Sequence, residues 1–269
     1  MRPRLSLLLK KEQTEMIKLI DTHAHYDDEA YDKDRDILLK KLFDESVEKV
    51  ITVGCALDRW EDTLRLAESY EGVYGAVGIH PEDIYGLPED YLARIEDLAK
   101  NPKIVAIGEM GLDYHYENFD RETQIKVFTE QLRLADRLDM PIIIHSRDAA
   151  EDTMRILRAE KPKKAVMHCF SGSRETAAEV LSLGLYISFT GVLTFKNAKK
   201  AVEACALAPL DRRMLETDCP YMAPVPFRGE RCDSSMIMST AAKMAEIKGV
   251  STEEMIEICN KNAERFFGI

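Results

Sequence analysis

Eight short apolar runs, each followed by polar or helix-period sequence, constrain the folding of this 269-residue chain more than any other feature. The runs cover residues 18–21, 49–53, 73–77, 104–108, 141–144, 165–167, 185–189 and 213–216. They are rich in Val and Ile and nearly continuous, without polar–apolar alternation. Strands of that kind need burial on both faces, which a parallel sheet covered by helices provides. Helix-period segments lie between them at 35–46, 58–69, 121–138, 149–159 and 174–183. Eight strand–helix units are the count of a closed (β/α)8 barrel of the TIM type, in one α/β domain. A doubly wound open sheet is the structural alternative.

Local signals punctuate this pattern. Gly184 after Leu183 is placed as a helix stop before the seventh strand. Pro220, Pro224 and Pro226 make the segment after the eighth strand a loop. Helices over 234–248 and 252–267 complete the outer ring, and no low-complexity linker divides the chain. Residues 1–16 stand apart. Leu5-Ser6-Leu7-Leu8-Leu9 follows two arginines, but Lys10-Lys11-Glu12 comes next without a small-residue cleavage site. We read 1–16 as an extension before a barrel spanning 17–269, with Met16 as the true start. An intact Met1 terminus in mass spectrometry of the native protein would refute that start.

The net charge of −11 is the wrong sign for gripping long duplex DNA through a basic face. A local positive site remains open to the chain, because bound metal ions carry their own charge. The six cysteines, Cys55, Cys169, Cys205, Cys219, Cys232 and Cys259, form no CxxC pair. Buried free thiols in a reducing cytoplasm are the natural reading, although Cys219 beside Asp218 is a candidate for oxidation. No apolar run reaches transmembrane length, and no obligate protein partner is evident.

The chemistry gathers after the strands. His23 and His25 follow the first run, His80 the third, Glu109 the fourth, His145 the fifth, His168 the sixth and Asp218 the eighth. In a barrel these ends converge on one face, where active sites are built. The i, i+2 spacing of His23 and His25 puts both rings on one side of an extended strand, as a pincer for a divalent ion. For that pair alone, solvated loop histidines are the bland alternative. Glu109, His145, His168 and Asp218 change the balance, because each ends a run that would otherwise enter the core. Burying four such groups unpaired is costly, whereas metal ligation makes them favourable.

Six ligands exceed the needs of one tetrahedral ion with an open position and suggest two ions bridged by Glu109. Two ions about 3.5–4 Å apart clamp the attacking and leaving oxygens of a phosphodiester displacement and lower the pKa of water. Asp218 binds an ion and also accepts or relays the proton, so Asp218 and Glu109 are the expected catalytic groups. His80 is assigned either to a turn before Pro81 or to substrate. Arg147 is assigned to a substrate phosphate or carboxylate, or to a salt bridge with Glu151 or Asp113. Ser173 is expected to cap a helix whose first N–H groups could receive an anion, and His115 to lie on a loop surface.

The chain resembles the TatD-type deoxyribonucleases, a branch of the amidohydrolase-like barrels. The matching strings are Leu19-Ile20-Asp21-Thr22-His23-Ala24-His25-Tyr26-Asp27, Val77-Gly78-Ile79-His80-Pro81, Ala106-Ile107-Gly108-Glu109-Met110-Gly111-Leu112-Asp113-Tyr114, Pro141-Ile142-Ile143-Ile144-His145-Ser146-Arg147-Asp148-Ala149, His168-Cys169-Phe170-Ser171-Gly172-Ser173 and Leu215-Glu216-Thr217-Asp218-Cys219-Pro220-Tyr221. They occur in family order from about residue 17 onward. The resemblance implies a TIM-type barrel that hydrolyses DNA phosphodiesters with divalent metal, several members being 3′-to-5′ exonucleases on single strands. It carries the metal ligands onto His23, His25, Glu109, His145, His168 and Asp218, and it raises the standing of His80. One departure is Arg231-Cys232-Asp233-Ser234-Ser235, where the family continues with an Arg-Asn-Glu-Pro-like run; this bears on substrate preference.

The function expected from the sequence is therefore divalent-metal-dependent hydrolysis at DNA strand ends. A D-aminoacyl-tRNA deacylase, or another ester or amide hydrolase on the same centre, is the alternative, since fold does not fix substrate. A degenerate scaffold has no need for six aligned ligands. The two ions are expected to be Mg2+, Mn2+ or Zn2+. Four histidines favour Zn2+ or Mn2+, while the family is commonly described as Mg2+-dependent.

Overall fold

A computed structural model describes residues 17–269. The expectation for residues 1–16 falls outside the described residues. The eight strands are β1 (Leu19–Ala24), β2 (Val47–Gly54), β3 (Val73–Val77), β4 (Ile104–Asp113), β5 (Ile142–Arg147), β6 (Ala165–Met167), β7 (Tyr186–Phe189) and β8 (Arg213–Leu215). One helix follows each of the first seven strands: α1 (Arg35–Glu45), α2 (Trp60–Ser69), α3 (Tyr91–Leu98), α4 (Arg121–Leu138), α5 (Ala150–Glu160), α6 (Arg174–Ser182) and α7 (Lys199–Leu207). α8 (Ile237–Lys248) and α9 (Thr252–Phe267) follow β8.

Neighbouring strands pair in parallel in the order β1 to β8, which is the (β/α)8 barrel in one domain. The ring closes between β8 and β1 at its C-terminal rim. Ala24 and Cys219 form a parallel bridge, the His25 N–H donates to Cys219 O at 2.7 Å, and the Asp218 N–H donates to His23 O at 2.9 Å. Closure therefore runs through the segments that carry His23, His25 and Asp218.

One apolar cluster draws on every strand, as the interior of a closed barrel requires. It includes Ile20, Ile51, Ala76, Ala106, Ile143, Val166, Tyr186 and Met214, with Phe266 and Phe267 of α9 packed into it. Each such large side chain contributes about 1.5–3 kcal/mol on full burial. A second cluster lies between strands and helices and includes Ile107, Val127, Phe128, Leu132 and Ile144. Side chains cap the helices where the sequence provides them. Asp120, Ser173 and Ser251 accept the N–H of Thr123, Thr176 and Glu254. Gly184, with φ of +79°, follows α6 as its position predicts.

Four strands, β1, β2, β4 and β5, run longer than the apolar pattern suggests, and two of these extensions place site residues. β1 continues to Ala24, so His23 lies within it. β4 continues to Asp113, because its pairing with β5 extends to Asp113–Arg147, so Glu109 lies in mid-strand. The segment after β8 is a loop, as its prolines require. Among the described residues no helix is long and apolar enough to cross a membrane.

Candidate metal centre

The six expected ligands come together at the C-terminal mouth of the barrel. β1 presents two of them. His23 is fully buried, and His25, two residues on, turns its Nε2 to within 3.2 Å of His23 Nε2. The far nitrogen of His25 lies 3.0 Å from Val53 O on β2. Asp21 fixes the strand beneath them. Its carboxylate accepts Thr217 Oγ1 at 2.6 Å, the Thr217 N–H at 3.0 Å and Ser234 Oγ at 2.6 Å, tying β1 to the end of β8. Burial pushes Asp21 up to about 6 despite those bonds.

Glu109 stands between two groups of side chains. Its Oε1 is 2.7 Å from His145 Nδ1 and 3.0 Å from His168 Nε2. Its Oε2 is 3.3 Å from His23 Nε2. Asp218 Oδ1 lies 3.3 Å from His25 Nε2 and 3.7 Å from His23 Nε2. Burial penalises the Glu109 carboxylate, but the surrounding His168, His23 and His145 outweigh it and hold its pKa well below the usual range. The pKa of His23 is lowered as well, because burial and the adjacent His168 disfavour its protonated form.

Local backbone geometry makes room for this packing. Gly111, with φ of +151°, lets β4 pass close to β5. A Cβ there would stand 1.9 Å from His145 O, a distance no side chain tolerates. Asp218 itself adopts a left-handed φ of +64°, which turns its side chain back toward β1.

The donor chemistry fits divalent cations. Four imidazoles and two carboxylates converge, and two ring nitrogens face each other at 3.2 Å, where one proton at most satisfies both. Buried Nδ1 atoms of His23 and His168 have no well-aligned hydrogen-bond partner, although Glu216 Oε1 comes within 3.3 Å of the latter. Residue triplets able to hold an ion include His23, Glu109 and His168, and His23, His25 and Asp218. A cation resolves these crowded acceptors, as coordination does for buried carboxylates and imidazoles elsewhere.

The remaining sequence-selected residues occupy distinct places. His80 faces the centre, with Nε2 4.0 Å from Glu109 Oε1 and its ring edge-on to His145 at 4.5 Å. The Glu82 N–H donates to His80 Nδ1, which puts the ring proton on Nε2, and burial lowers its pKa to about 3. Arg147 reaches the rim, stacks 5.3 Å over the Tyr116 ring and keeps Nη1 3.9 Å from Asp113 Oδ2. Ser173 caps α6. His115 is an exposed loop residue whose Nδ1 lies 2.9 Å from Asp148 Oδ2. Cys219 is fully buried with its thiol pushed up to about 12, so the oxidation expected there lacks both access and thiolate.

Three further residues belong to the centre. Asp113 backs His145, with Oδ2 3.0 Å from Nε2. Glu216 accepts the Cys169 N–H at 2.6 Å beside His168. Cys55 places Sγ 3.7 Å from Glu109 Oε2. Cys55 carries the same sequence signal as the others, a capable side chain right after an apolar run. Asp113 follows Glu109 by four residues, which puts both on one face of a strand. The divergent loop is tied below the mouth: Ser234 bonds Asp21, Tyr31 Oη donates to Cys232 O at 2.6 Å, and Arg231 pairs with Asp34. Its links toward the centre run through Asp21 and through Pro220, two residues after Asp218, whose carbonyl accepts the Cys232 N–H at 3.0 Å.

The profile of the family described as "TatD related DNase" matches residues 20–268. A Bacillus subtilis relative, named as the metal-dependent hydrolase YabD, is 42% identical over 253 residues, spanning 93% of this chain and 99% of the relative. The Escherichia coli metal-dependent hydrolase YcfH is 38% identical over 259 residues, spanning 93% and 96%. The crystal structure of YjjV, a TatD homologue from Escherichia coli K12, superposes with a TM-score of 0.88 at 31% identity, covering 93% of this chain and 98% of that one.

Proposed function

From the premise that the chain belongs to the TatD family of metal-dependent hydrolases, we propose that it hydrolyses DNA phosphodiesters, trimming single strands from the 3′ end with two divalent ions. The observation that carries this reading is the division of the ligand set about Glu109. Oε2 faces His23, with His25 and Asp218 beyond it, and Oε1 faces His145 and His168. Glu109, the carboxylate common to both groups, would help hold divalent ions together with His23, His25, His145, His168 and Asp218; the ions would supply positive charge to phosphate oxygens and lower the pKa of an attacking water.

The chain's own groups do the rest. Asp218 takes up the proton from the water at its carboxylate and relays it to the sugar oxygen that leaves as its P–O bond breaks; neighbouring histidines keep Asp218 ionised beforehand, since burial raises its pKa but His25, His168 and His23 outweigh that. Neutral His80 donates its Nε2 proton as a hydrogen bond to a phosphoryl oxygen beside Glu109. Arg147, at the rim, holds a flanking phosphate. A net charge of −11 suits a site that takes a strand end and leaves long duplex alone. Imidazole-rich ligation favours Zn2+ or Mn2+, with Mg2+ the oxygen-preferring alternative. We place the protein in the cytoplasm, with DNA strand ends as its partner.

The test is digestion of end-labelled single-stranded DNA by metal-free enzyme titrated separately with Mg2+, Mn2+ and Zn2+. Metal-dependent stepwise release of mononucleotides, lost in His23→Ala/His25→Ala, is the expected result. No cleavage by protein that holds its ions would overturn the nuclease reading and turn attention to D-aminoacyl-tRNA esters.

A further inference from the structure

Helix α4 carries two glutamines inside its apolar stripe. Gln124 and Gln131 are buried on the face formed by Val127, Phe128, Leu132 and Ala135. Their spacing of seven residues puts them on one side of the helix, two turns apart. A buried amide without partners is costly, so each must find hydrogen bonds. Both find them in the same way. Gln124 Oε1 accepts the backbone N–H of Asp113 at 2.9 Å, and its Nε2 donates to the Asp113 carbonyl at 2.9 Å. Gln131 Oε1 accepts the backbone N–H of Ile79 at 2.8 Å, and its Nε2 donates to the Ile79 carbonyl at 3.1 Å. Each amide clamps both main-chain polar groups of a single residue at the barrel mouth.

The clamped residues adjoin the chemistry. Asp113 is the carboxylate behind His145, and Ile79 directly precedes His80. The β3–β4 ladder ends at Val77–Ile107, so Ile79 and Asp113 both lie past it. The glutamine amides supply hydrogen bonds that the ladder no longer does. Two opposed bonds also fix the amide's orientation, because its oxygen cannot face a carbonyl.

We propose that Gln124 and Gln131 are positioning residues that set, from one helix, the two groups flanking His145. Gln124 holds Asp113, which orients the His145 ring. Gln131 holds Ile79, the residue before His80, and so sets the His80 ring against the substrate position. The proposal rests on reading His145 as a metal ligand and His80 as substrate-facing. Groups one step behind a metal ligand shift metal affinity by about 10–100-fold when lost, so the two clamps make different predictions.

The experiment titrates full-length, metal-free protein with Zn2+ against a chromophoric chelator, then measures turnover of bis(p-nitrophenyl) phosphate by the loaded enzyme. Gln124→Met weakens Zn2+ binding about twofold to tenfold, less than loss of the Asp113 carboxylate it holds. Gln131→Met leaves Zn2+ affinity unchanged, lowers kcat, and costs nothing further when added to His80→Ala, because both act through the same ring. Val127→Ala, on the same buried face, lowers Tm while leaving both readouts in place. Where a Met variant does not fold, Gln124→Asn or Gln131→Asn replaces it, since the amide then stops one carbon short of the backbone it clamps. Glutamine variants that shift only Tm, or a Val127→Ala variant that reproduces their effects, would overturn the proposal. Wild-type protein that takes up no Zn2+ would refute the metal reading itself, and the chelator titration registers that before any variant is made.

Discussion

His145 stands between two carboxylates: its Nδ1 is 2.7 Å from Glu109 Oε1, and its Nε2 is 3.0 Å from Asp113 Oδ2. A ring held this way offers Nδ1 to an ion only if Nε2 keeps its proton, and Asp113 accepts that proton's hydrogen bond. Replacing Asp113 by Ala should therefore weaken metal binding about 10–100-fold while the fold persists. Chelator competition reads the change; an unaltered affinity would show that Asp113 serves the structure alone.

Gly111 bears on the same strand pair. Its φ of +151° and the 1.9 Å approach of an added Cβ to His145 O leave no space for any side chain. Gly111→Ala should lower stability by about 2–4 kcal/mol, as strain at such positions does. It should also loosen metal binding, because β5 must shift and carry His145 with it. Urea unfolding and metal titration on the same sample separate the two effects.

Away from the centre, Asp152 links α4 to α5. Arg121 grips both its oxygens at 2.7 Å, and Arg155 and Tyr114 Oη add further bonds. Burial alone would raise its pKa, but these partners outweigh it and hold Asp152 at about 2. A folded-state pKa below the unfolded value stabilises the protein above the unfolded pKa. That stability, about 1 kcal/mol because both arginines are half-exposed, is lost as pH falls from about 4 through 2. Asp152→Asn should therefore be less stable than wild type at pH 6 and approach it near pH 1. A difference that persists undiminished at pH 1 would point to packing instead of charge.

The barrel was legible because each strand is buried on both faces, which leaves runs such as Ile142–Ile143–Ile144 without polar interruption. The short helices α3 and α7 were not, since neither is bracketed by a side-chain cap and a glycine stop as the equally short α6 is by Ser173 and Gly184. The side chains that gather at the mouth were legible for a related reason: Glu109, His145, His168 and Asp218 are ionisable groups where an apolar run ends. Asp113 and Gln124 were harder to see. Their work lies in pairing with a residue from another element, and sequence does not display which ring nitrogen or backbone amide will face them. The glutamines did leave a trace, as polar residues seated in an apolar stripe.

The central claim is that Glu109 joins two ion sites, and counting ions tests it most directly. Metal-free protein reconstituted with Mn2+ or Zn2+, freed of excess ion and analysed by elemental spectroscopy, should hold about two ions per chain. Glu109→Ala should fold, by circular dichroism, yet retain fewer. One ion in the wild type, or two still held by Glu109→Ala, would contradict the account.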